Sequence, residues 1–144
     1  MYFSGLGTAT PTKRYTKAEC LNAFQGPAWY ARLDARSHLI ARTVLQRDNG
    51  IETRHLALDS LAESFEIDPD TLARRFLAHA PALATRAAQR ALTAAALDAA
   101  QIDAVVVSTC TGYLCPGITG YLIERLGLRA DVQAYDLVGH GCAA

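Results

Sequence analysis

The sequence predicts a layered α/β domain with a mixed, mostly parallel sheet. Three observations carry that prediction. Ala104-Val105-Val106-Val107-Ser108 is an apolar run without polar alternation, the mark of a strand covered on both faces by helices. Helix punctuation stands on either side of it, with Asp68-Pro69 as a start signal and Gly127 as a stop. The 144 residues are 51% hydrophobic and 19% charged, which is one domain's length with enough apolar matter for a core, and argues against disorder.

The elements follow in order. Residues 1–7 form a short apolar segment read as a strand, ending in a turn at Thr8-Ala9-Thr10-Pro11. Thr16-Lys17-Ala18-Glu19 matches a capping box and opens a helix from Lys17 to about Gln25. Gly26-Pro27 closes it, and Pro27 can open the next helix as its first residue. That helix extends to about Asp48, with an apolar stripe of Leu33, Leu39, Ile40, Val44 and Leu45. Asn49-Gly50 stops it. Residues 51–58 read as extended and 59–67 as a loop.

Asp68 caps and Pro69 begins a long helix. Residues 78–100 hold twelve alanines, so this helix is expected to be buried on most sides. Pro81 should kink or split it, and Arg75, His79, Arg86 and Arg90 mark its solvent face. After the strand at 104–108 come a loop at 109–117, a helix at 118–126 and a last strand at 132–138. Helices alternating with strands favour a layered α/β architecture.

Composition excludes several functions. Fourteen Lys and Arg balance fourteen Asp and Glu, so no basic surface calls for a nucleic acid. No apolar run approaches the ~20 residues that span a bilayer, and no signal peptide is visible. The expected compartment is the cytoplasm. The cysteines are Cys20, Cys110, Cys115 and Cys142. Their spacing is neither a disulfide framework nor a zinc pattern, so no metal and no cofactor is expected.

The last residues carry a chemical signal. A strand is followed by Gly139-His140-Gly141-Cys142-Ala143-Ala144. Small residues at that point let a helix begin beside the sheet, and a cysteine at a helix N-terminus is favoured as a thiolate. A thiolate is the form that attacks thioesters. A structural cysteine at a strand end is the competing reading. The sequence stops where that helix should begin, which reads as a chain cut short. His140 lies two residues before Cys142, but a turn usually aims such a side chain elsewhere.

Taken together, the motifs resemble those of type III polyketide synthases, the chalcone synthase-like branch of the thiolase fold. Gly5-Leu6-Gly7-Thr8-Ala9-Thr10-Pro11 is similar to the family's opening strand and turn. Gly50-Ile51-Glu52-Thr53-Arg54-His55 is similar to its internal segment, and the run from Ser108 to Gly117 to its active-site loop. Leu126-Gly127-Leu128 and Gly141-Cys142-Ala143-Ala144 complete the order.

The resemblance implies that residues 1–144 are an N-terminal chalcone/stilbene synthase-like domain, the N-terminal half of a thiolase-like fold, ending just after the nucleophile. It places Cys142 on that nucleophile, which carries the starter acyl group as a thioester. The family's malonyl-CoA-decarboxylating His and Asn would lie beyond this sequence. Cys110, Thr111, Cys115, Pro116 and Gly117 fall in the loop that shapes the substrate cavity. The family has a cis bond before the proline, and its Met at the Cys115 position reaches across a homodimer interface. Arg42 and Arg47 are the nearest candidates for binding CoA. A solvated arginine face explains them as well, and a purely structural role explains Cys110 as well. The implied partners are an acyl-CoA starter, malonyl-CoA and a second copy of the chain. Two alternatives stand beside this reading: a ketoacyl synthase III-like condensing enzyme, and a non-catalytic half-domain that assembles with a partner.

Overall fold

A computed structural model describes residues 2–140. The described residues divide into two compact units, one made of 2–9 with 67–140 and the other of Thr10–Glu66. The α/β class stands, but the strands form two separate two-stranded ladders. No helix among the described residues is long and apolar enough to cross a membrane.

The 10–66 unit is built from β1 (Arg14–Thr16), α1 (Lys17–Gln25), α2 (Ala35–Gln46) and β2 (Thr53–His55). β1 and β2 pair antiparallel, with Tyr15 opposite Arg54. β1 is three residues long, its Tyr15 half-buried between exposed Arg14 and Thr16. The capping box forms as expected: the Thr16 hydroxyl accepts from the Glu19 amide at 3.2 Å, and Glu19 accepts from the Thr16 amide at 2.7 Å. Helix α2 begins at Ala35 and not at Pro27. Asp34 accepts from the Ser37 amide at 2.6 Å and wins as the cap. The chain between holds a 3-10 turn at Tyr30–Arg32.

That turn lies in an aromatic cluster. Phe24 meets Trp29 and Tyr30 edge-on at 5.0 and 5.5 Å, and Phe65 sits 5.7 Å from Trp29. Phe65 arrives from a second 3-10 turn, Leu61–Phe65, inside the stretch expected to be a loop. Ser60 and Glu63 cap it by the same box geometry as Thr16 and Glu19. The apolar stripe of α2 is only partly covered: Leu39, Ile40 and Val44 are all exposed. Phe24, Leu33, Ile40, Val44 and Leu45 line an open apolar groove of about 420 Å³.

The other unit is organised by α3 (Pro69–Ala95), β3 (Ala104–Thr109), α4 (Ile118–Leu126) and β4 (Gln133–Val138). Asp68 caps α3, accepting from the Thr71 amide at 2.8 Å. The helix runs unbroken through Pro81, which is fully buried. Burial on most sides does not occur: Pro81 and Thr85 alone among its described residues are buried. Within this unit α4, residues 2–9 and the loop at Gly112 lie against α3.

Residues 2–9 form no strand. They lie on the alanine face of α3, where a Cβ on Gly5 would come within 2.5 Å of the Ala91 carbonyl oxygen. Arg90 Nη1 donates to the Thr8 carbonyl at 2.7 Å. β3 and β4 pair in parallel with Thr109 opposite Val138. Residues of β3 alternate between exposed and half-buried, and Val106 is 58% exposed. One face of the ladder is therefore open, against the expectation of cover on both. Ile118 and Leu122 of α4 are buried, each contributing roughly 1.5–3 kcal/mol. At the far end, Arg129 bonds both Asp131 and Asp103, at 2.8 and 3.0 Å. These bonds, Asp131 first, hold the guanidinium above its ordinary pKa.

Candidate functional site

The parallel ladder brings two chain segments to one end of the sheet. The Gly139 amide donates to the Thr109 carbonyl at 3.0 Å. Residues 110–117 therefore leave β3 beside the point where Gly139 and His140 leave β4. In open α/β sheets the carboxyl ends of parallel strands are where ligands bind, because loops converge there and no strand blocks them. Cys142 lies outside the described residues, two positions after His140.

The loop is held at both ends. At its start the Thr111 amide donates to the Thr109 hydroxyl at 3.4 Å. The Phe76 ring of α3 fills the space that a Cβ on Gly112 would need. Phe76 was not legible as a loop support, because only the folded chain brings it there. At the loop's end the Cys115–Pro116 bond is cis, as the resemblance implies. Gly117 then caps α4, with no side chain of its own to do so. Asp136 of β4 takes that place: it accepts from the Thr119 amide at 3.3 Å and from the Thr119 hydroxyl in a shorter bond.

Cys110, Thr111, Cys115 and Pro116 are exposed, and Gly117 is half-buried. The five share one loop. An apolar groove of about 300 Å³ in the same unit is lined instead by Phe3, Leu92, Ala95, Ile102, Leu126 and Leu128, among others. Arg42 and Arg47 belong to the 10–66 unit and are exposed. Arg42 sits on α2, and Arg47 ends it, its carbonyl accepting from Lys17 Nζ at 2.7 Å. His55 is capped, its Nδ1 lying 2.8 Å from the Pro11 carbonyl oxygen.

No protein-family model matches the chain. It is 33% identical over 135 residues to a 1,3,6,8-tetrahydroxynaphthalene synthase of Streptomyces peucetius subsp. caesius, covering 94% of this chain and 35% of that protein. It is 29% identical over 150 residues to the alpha-pyrone synthesis polyketide synthase-like Pks18 of Mycobacterium tuberculosis, covering 97% of this chain and 36% of that protein. The C-terminal type III polyketide synthase domain of Steely1 from Dictyostelium, a solved structure, superposes with a TM-score of 0.76 at 27% identity. That match covers 98% of this chain and 39% of the other.

The chain matches the N-terminal part of type III polyketide synthases. It spans about a third of the length of the known relatives it matches. Its fold is accordingly the N-terminal part of the polyketide synthase's thiolase-like fold.

Proposed function

We propose that this chain is the N-terminal part of a type III polyketide synthase whose Cys142 takes an acyl group from an acyl-CoA. The bond that forms is a thioester on the Cys142 sulfur, and CoA leaves as its thiol. The acyl chain is then extended by decarboxylative condensation with malonyl-CoA. Cys110, Thr111, Cys115, Pro116 and Gly117 shape the cavity in which the chain grows. Arg42 and Arg47 are candidates for contacts to CoA. The enzyme works as a homodimer in the cytoplasm.

The observation that supports this reading is the Gly139–Thr109 hydrogen bond. It sets the strand that leads to Cys142 beside the start of the loop carrying Cys110 and Thr111. A loop of small and apolar residues beside the strand that leads to a thiol suits acyl transfer from a thioester.

The chain by itself supplies no His and Asn matched to the family's decarboxylating pair, so it forms no polyketide alone. That leaves room for the second reading, a half-domain that does no chemistry until it meets a partner. Its support is that the chain spans about a third of the length of its relatives. The test is product formation from acyl-CoA and malonyl-CoA, with the chain alone and with an enzyme carrying it as its N-terminal part. Product only from the latter supports the proposal. Product from the chain alone contradicts it.

A further inference from the structure

Asp136 joins two elements that meet at the candidate site. Its carboxylate crosses from β4 to the first turn of α4, where amides have no partner within the helix. One oxygen accepts from the Thr119 amide at 3.3 Å, and the other accepts from the Thr119 hydroxyl. Thr119 is 5% exposed, so its hydroxyl has little access to water and its bond to Asp136 is costly to lose. Gly117 completes the arrangement, because a Cβ there would collide with the Asp136 carboxylate.

The three residues interlock as an acceptor pair, a buried donor pair and a hole shaped for the acceptor. Gly117 directly follows Cys115 and Pro116, and Asp136 stands six residues before Cys142. The lock therefore fixes the end of the cavity loop against the strand that leads to the nucleophile. Resting on the function proposed above, we infer that Asp136, through Thr119 and Gly117, is a positioning residue that holds the end of the cavity loop against β4, the strand that leads to Cys142, for acyl transfer.

The test uses the enzyme that carries this chain. Single-turnover acyl loading of Cys142 is followed against acyl-CoA concentration, with thermal unfolding measured in parallel. Asp136→Ala and Thr119→Val are expected to lower the saturating loading rate by roughly 10- to 100-fold, the penalty of an ångström-scale misplacement. The half-saturating acyl-CoA concentration should stay the same. Thr119→Ser keeps the hydroxyl and should restore most of the rate. Gly117→Ala should reproduce the loss while Asp136 is present and add nothing in the Asp136→Ala background, where the carboxylate is gone.

An unchanged saturating rate in both Asp136→Ala and Thr119→Val overturns the inference. A loss that Thr119→Ser does not recover, or one that appears only as a lower melting temperature, overturns it too. If the unsubstituted enzyme places no acyl group on Cys142, the functional reading fails and the inference falls with it. Normal loading of the unsubstituted enzyme with unaffected variants removes the inference alone.

Discussion

Arg90 of α3 donates to the carbonyl oxygen of Thr8 at 2.7 Å, and this bond ties the N-terminal segment to the long helix. Gly7 lies just before it, so close to the helix that a Cβ would run into the Ala87 carbonyl oxygen and the Ala91 amide. Gly7→Ala should therefore lower stability by about 1–3 kcal/mol, the usual cost of overpacking. Arg90→Ala should cost roughly 1 kcal/mol through the lost hydrogen bond. Urea unfolding at neutral pH checks both. A Gly7→Ala variant as stable as the parent would show that the segment does not rest on α3.

Acid should weaken the helix caps. Asp34 and Asp68 are both held below the ordinary aspartate value of 3.8, Asp34 by the backbone of Ser37 first and Asp68 by the Thr71 hydroxyl first. A lowered folded-state pKa means that the unfolded chain binds more protons, so this stabilisation is present in full above 3.8 and is lost as the pH falls through the folded-state value. The fall in urea midpoint on acidification should be shallower in an Asp34→Asn/Asp68→Asn double variant. Equal slopes in parent and variant would contradict the caps.

The isolated chain should associate. Val106 and Tyr135 stand opposite each other in the β3–β4 register, 58% and 51% exposed. Leu72 and Leu77 of α3 are similarly open, at 45% and 46%. Apolar surface left in water forgoes ~25 cal/mol per Å², and patches of several hundred Å² mark interaction sites. Sedimentation velocity of the 144-residue chain at micromolar concentration should show dimers or larger species. A monomer with a sharp thermal transition would contradict this.

What was legible in the sequence was local. The box of Thr16 and Glu19, the Asp68-Pro69 start and the Gly127 stop involve residues within a turn of each other, so spacing alone reveals them. The Asp34 cap was missed because Pro27 offered an equally local start signal, and the helix starts where Asp34 accepts from the Ser37 amide. Residues 1–7 looked like a strand because they are apolar, yet a strand needs a partner, and the described part of that segment lies on the alanine face of α3 instead. Uniform hydrophobicity in β3 suggested cover on both faces, and sequence could not say which cover the chain itself provides.

The site divides in the same way. The loop read at 109–117 was bounded to within one residue, Thr109 belonging to β3, because a strand and a helix stop and start around it. The support that Phe76 and Asp136 give it comes from residues far away in sequence, and no spacing rule links them.

The most direct test of the central claim is peptide mass spectrometry after the enzyme carrying this chain is incubated with an acyl-CoA. The acyl mass is predicted on the peptide containing Cys142, and Cys142→Ala should abolish loading with the fold kept. Loading that survives Cys142→Ala, or an acyl group found on Cys110 or Cys115 instead, would contradict it.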